Sequence, residues 1–64
     1  MIVIRVPDMS CQMCFRRVEE ALIGVLGVEN VMIDPETKEV FVEGNPNRDE
    51  LIAAIMAVGY HPEE

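Results

Sequence analysis

Cations are scarce in this chain. Lys and Arg number 5 against 12 Asp and Glu, a formal net charge of −7. Nucleic-acid binding needs clustered cations to neutralise phosphate, and that cluster is missing, so the chain is read as no nucleic-acid binder. An anionic membrane surface is disfavoured for the same reason. Long apolar runs are missing too. None has the length a membrane span needs, and the amino-terminal one, Met1–Ile4, is too short for a secretory leader. The expectation is a cytoplasmic chain without membrane insertion. Cysteine is limited to Cys11 and Cys14, too few and too close together for the disulfide framework of a small secreted domain, and too few for a four-cysteine zinc site. Length is short as well. With 64 residues there is room for one domain, residues 1–64, near the lower size limit for folding alone, and none for a two-lobed enzyme with a deep cleft. What is present describes a compact globular domain: half the residues are apolar, 27% are charged, and the three aromatics are Phe15, Phe41 and Tyr60.

The pattern along the chain changes period several times. Ile2, Ile4 and Val6 alternate with Val3 and Arg5, the period of a strand with one buried face, which Pro7 and Asp8 end. From Gln12 to Leu26 the period becomes helical: Phe15, Val18, Leu22, Val25 and Leu26 share one stripe and Arg16, Arg17, Glu19 and Glu20 lie outside it. Ser10 is the expected N-cap and Gly27 the stop, with Gly24 weakening the last turn. Val28, Val31 and Ile33, a turn at Asp34-Pro35-Glu36-Thr37-Lys38, and Val40, Phe41 and Val42 read as a β-hairpin. Asn47 with Glu50 three residues later has the form of a capping box, and Leu51, Ile52, Ile55 and Val58 make a second helical stripe closed by Gly59. Tyr60 to Glu64 are expected to add a short edge strand, because Pro62 lacks an N–H. The order β-α-β-β-α-β, with two one-faced helices over one sheet, gives a two-layer α+β sandwich.

The chemistry concentrates where the first strand hands over to the first helix. Cys14 falls near the positive end of that helix, where unpaired N–H groups and the macrodipole favour an anion, so its thiol pKa is expected to be lowered. Spaced three apart at a helix start, both sulfurs can point to one side. Two soft thiolates without another nearby ligand suit a soft ion of low coordination number, with Cu(I) the leading candidate, whereas zinc prefers four ligands. A dithiol redox pair and two merely structural cysteines are the competing readings. No Ser/His/Asp set, paired carboxylates or Gly-rich phosphate loop is present, so no enzyme is expected.

The run Met9-Ser10-Cys11-Gln12-Met13-Cys14 resembles the M-x-C-x-x-C motif of heavy-metal-associated (HMA) domains. The resemblance continues through Val18-Glu19-Glu20-Ala21-Leu22, Gly27-Val28 and Val31 to Gly59-Tyr60, nearly the whole chain. That family includes small copper chaperones and the amino-terminal domains of copper-transporting P-type ATPases. The resemblance implies a ferredoxin-like βαββαβ sandwich. Its antiparallel four-stranded sheet would run in the order 4-1-3-2, with two helices on one face. It also implies Cu(I) held by Cys11 and Cys14 and exchanged with a partner, a copper-transporting P-type ATPase or its metal-binding domain. The chain would be a free chaperone or such a domain itself, a monomer or a dimer bridged by metal through four thiolates. Two positions depart from the common pattern. Asp8 stands where the family usually has Gly, and Ser10 where zinc-selective members tend to carry Asp, which favours copper.

The remaining candidates follow from the same placement. Met9 is a candidate thioether ligand, but the resemblance assigns it to anchoring the loop in the core. Met13, between the cysteines, is expected to be exposed. Arg16 and Arg17 either offset thiolate charge or form an ordinary solvated face. Tyr60 corresponds to a tyrosine that lies close to the metal loop in bacterial chaperones. His61 is a candidate third ligand; strand alternation opposes this, since a Tyr60 aimed at the metal loop turns His61 away.

Overall fold

The alternation at the amino terminus produces β1 (Ile2–Arg5), in which Ile4 is fully buried while Val3 and Arg5 face outward. The structure, a computed structural model, describes residues 1–63. Val6 continues the buried face, and its N–H donates to the Lys38 carbonyl at 2.9 Å. The hairpin expected after the first helix consists of β2 (Val28–Asp34) and β3 (Glu39–Gly44). Its turn is closed by Asp34, whose carboxylate accepts the Glu36 N–H at 2.9 Å and whose carbonyl accepts the Lys38 N–H at 2.9 Å. Both β1 and β2 pair antiparallel with β3, giving the order β1-β3-β2. The register sets Ile4 and Ile33 on either side of Val40, and Ile2 and Val31 on either side of Val42. A bulge at Val28–Asn30 lets the start of β2 meet Gly44.

Helix α1 (Gln12–Ile23) buries Val18 and Leu22, and α2 (Arg48–Ala57) buries Leu51 and Ile55. These side chains join Ile4, Val6, Met9, Val31, Val40 and Val42 in one core, so both helices lie on the same face of the sheet. Burying an aliphatic side chain of this size contributes roughly 1.5–3 kcal/mol. Each one lost from so small a core therefore matters. Asn47 caps α2 as expected, its side chain accepting the Asp49 N–H at 2.8 Å.

Three expectations need correction. First, the sheet has three strands among the described residues, not four. Tyr60–Glu63 meets β1 through a single bridge between Arg5 and Glu63, with the Glu63 N–H donating to the Arg5 carbonyl at 2.7 Å. The cause is local. In an antiparallel pair every second N–H points at the neighbouring strand, so the donor next to Glu63 would be His61, and its N–H is turned to the Asp8 carboxylate instead. The bridge still lies on the free edge of β1, where the order 4-1-3-2 would put a fourth strand; Glu64 lies outside the described residues. Second, α1 stops at Ile23, with Gly24 as its C-cap. Val25 folds back against the core while Leu26, expected on the apolar stripe, is 88% exposed. Third, the N-cap of α1 is Cys11 rather than Ser10.

Candidate metal site

The loop between β1 and α1 is fixed from below. Met9 is fully buried in the core, and its N–H donates to the Val6 carbonyl at 3.3 Å. Two residues on, Cys11 has the extended backbone of a cap (φ −142°, ψ 164°), and its Sγ accepts the Cys14 N–H at 3.3 Å. A side-chain acceptor at this position satisfies one of the N–H groups that a helix start leaves unpaired. The capping role also fixes the spacing of the pair. One helical turn separates the residues, and the two Sγ atoms lie 2.8 Å apart as free thiols. Cys11 is exposed and Cys14 half-buried against the core.

This arrangement favours the thiolate at Cys14. Its pKa is lowered from 9.0 to about 6, chiefly by the hydrogen bond from Cys11, then by the Tyr60 hydroxyl and a backbone bond at Ser10. Tyr60 responds in the opposite sense. Its hydroxyl is pushed above 10.0 because, as a neutral donor, it serves the Cys14 sulfur, with desolvation adding to the effect. The positive charge of Arg17 partly opposes that rise. Arg16 is committed elsewhere, pairing with Glu20 one turn along the exposed face at 3.3 Å. Met13 is 63% exposed and, with Gln12 and Arg16, lines an open depression on the surface.

His61 sits apart from this cluster. Its backbone N–H donates to the Asp8 carboxylate at 3.2 and 3.1 Å, and its ring Nδ1 lies 3.0 Å from Asp8 Oδ2. Among the described residues no three His, Cys, Asp or Glu side chains come together as a metal-holding group. The structure thus brings Cys11, Cys14 and Tyr60 together, places Met9 beneath them, and joins His61 to Asp8. Two neighbouring thiols, one exposed and one half-buried, with neither carboxylate nor imidazole grouped beside them, fit a soft ion of low coordination number and leave zinc short of its usual four ligands. The Asp8–His61 contact was not foreseen from the sequence. Asp8 departs from the family's usual Gly, but nothing local pairs it with a partner 53 positions away.

Comparison with known proteins places this geometry. The family model of the heavy-metal-associated domain matches residues 3–61. No curated protein matches the chain. Among solved structures, oxidized MerP from Ralstonia metallidurans CH34 is 28% identical, with a TM-score of 0.90 over 97% of this chain and 90% of that one. The CopZ metallochaperone is also 28% identical, with a TM-score of 0.91 over 97% of both chains. The copper chaperone Atx1 from Synechocystis PCC6803 is 25% identical, with a TM-score of 0.85 over 98% of this chain and all of that one. No described helix is long and apolar enough to cross a membrane. The chain belongs to the heavy-metal-associated domain family.

Proposed function

We propose that the chain carries a single Cu(I) ion between Cys11 and Cys14 and exchanges it with a partner, without acting as an enzyme. The observation that carries this reading is the thiol pair itself. One thiol caps the helix and the other stands in its first turn, 2.8 Å away and acidified to about 6. The likeness to the CopZ metallochaperone and to the copper chaperone Atx1 supports copper as the cargo. Exchange proceeds by ligand substitution. A partner thiolate adds to the two-coordinate ion, one original cysteine leaves and takes up a proton, and the copper stays Cu(I) throughout. An exposed Cys11 gives the incoming sulfur access. The fitting partner is a copper-transporting P-type ATPase or its metal-binding domain, in a compartment such as the cytoplasm that keeps both thiols reduced.

Titration of the reduced protein with Cu(I) against a competing chelator tests the site. One equivalent should bind, and Cys11→Ser and Cys14→Ser should each abolish tight binding. Native mass spectrometry with Cu(I) and Zn(II) present together should show the copper form; a zinc-only spectrum would end the copper reading. A second reading, a dithiol redox couple, is favoured by the acidic Cys14 thiol lying next to its neighbour. A reduction potential near those of dithiol oxidoreductases, together with weak Cu(I) affinity, would select it.

A further inference from the structure

The segment after α2 is lightly held. It follows Gly59, whose φ is +95°, and forms no strand. Its backbone is tied down at three points: the Tyr60 N–H to the Ile55 carbonyl at 3.3 Å, the His61 N–H to the Asp8 carboxylate, and the Glu63 N–H to the Arg5 carbonyl at 2.7 Å. Only the middle tie reaches the loop that carries the cysteines. It also lies one residue from Tyr60, whose hydroxyl serves Cys14.

We infer that Asp8 is a positioning residue: its carboxylate, by holding the His61 N–H and ring, fastens the segment after α2 to the cysteine loop and keeps the Tyr60 hydroxyl beside Cys14. Both ends of the tether are prepared for this. Asp8 precedes Met9, whose burial fixes the backbone from which the carboxylate projects. The carboxylate then receives the His61 N–H on both of its oxygens. A charged acceptor makes the stronger class of hydrogen bond, and an amide N–H held by it carries no protonation state of its own. The ring contact is the weaker half. The His61 side chain is 85% exposed, so its pairing with Asp8 is screened by water. The backbone bonds therefore carry the tether, and an uncharged acceptor of the same shape should largely replace Asp8. The hydrogen bonds also lower the pKa of the Asp8 carboxyl, against the desolvation that would raise it, so the acceptor stays ionised at neutral pH. The inference rests on the arrangement of the thiol pair, whichever ion that pair binds.

The test uses the reduced, metal-free full chain, so its outcome is separate from that of the copper reading. Wild type, Asp8→Ala, Asp8→Asn and His61→Ala are compared by NMR. Two signals are followed: hydrogen exchange at the residue-61 amide, and the nuclear Overhauser contact between the Tyr60 ring and the Cys14 β-protons. In Asp8→Ala the amide should exchange at least about tenfold faster and the Tyr60–Cys14 contact should be lost. Asp8→Asn should restore both, because its side-chain oxygen still accepts the N–H. His61→Ala should retain both, since its backbone N–H remains. Overall amide dispersion should be unchanged in all three, as the altered side chains lie outside the core. A Tyr60–Cys14 contact that survives in Asp8→Ala would overturn the inference. So would its loss in Asp8→Asn.

Discussion

Replacing Met9 separates a packing role from a ligand role. The side chain has no exposed surface and lies in the single apolar core. Truncating a buried Met to Ala removes transfer free energy and leaves a cavity, at about 2–5 kcal/mol. At roughly 0.05–0.15 kcal/mol per residue, a chain of 64 residues has a total stability of about 3–10 kcal/mol. Met9→Ala thus removes a large fraction of that stability. With a urea m-value near 1 kcal/mol/M, the unfolding midpoint should fall by about 2–5 M, or the variant should be unfolded outright. Met9→Leu conserves volume and apolarity, so it should cost under about 1.5 kcal/mol. Leucine has no sulfur. If Met9 only anchors the loop, Met9→Leu keeps Cu(I) affinity within about threefold, or ~0.7 kcal/mol. Urea denaturation followed by circular dichroism gives the first quantity and chelator competition the second. A Met9→Leu protein of wild-type stability that binds Cu(I) more than about tenfold more weakly would refute the packing argument and make the thioether a ligand. A Met9→Ala loss below about 1 kcal/mol would refute the burial argument.

Four further outcomes are expected. Alkylation of Cys14 should rise with pH through an inflection near 6 rather than near 9.0, and Tyr60→Phe should move that inflection upward. Because the folded pKa is lowered, thiolate stabilisation is complete above the unfolded value and is lost as pH falls through about 6, so Cu(I) affinity should decline below that pH as protons compete. Gly59→Ala meets no neighbour and should cost only the strain of φ +95°, about 1–2 kcal/mol. Gly44→Ala adds to φ +115° a Cβ driven into the Gly27 carbonyl and should cost at least about 3 kcal/mol; equal thermal midpoints for the two variants would contradict this. Copper transfer to a basic partner should slow as salt rises, since a net charge of −7 steers encounter, and a salt-independent rate would remove steering from the account.

The legible features were those encoded within one element. Alternation at Ile2, Ile4 and Val6, and the spacing of Val18 with Leu22 and of Leu51 with Ile55, each report a buried face directly, because strand and helix periods are properties of neighbouring residues. The cysteine pair was legible for the same reason: three-residue spacing at a helix start brings two side chains to one side. The errors arose where two local signals compete or where a distant group decides. Serine outranks cysteine as a cap by propensity, yet the loop runs on one residue further and the cap falls on Cys11. Leu26 matched the helical stripe, but Gly24 ended the helix first, and a side chain beyond the end has no face to share. The fourth strand failed through a contact that no local pattern contains. The Asp8 carboxylate takes the His61 N–H, so one donor remains at Glu63 where a ladder needs several. That diversion of a single N–H links the missing strand to the placement of Tyr60. The bond that keeps the segment after α2 from pairing fully with β1 is the one that reaches the loop bearing Cys11 and Cys14.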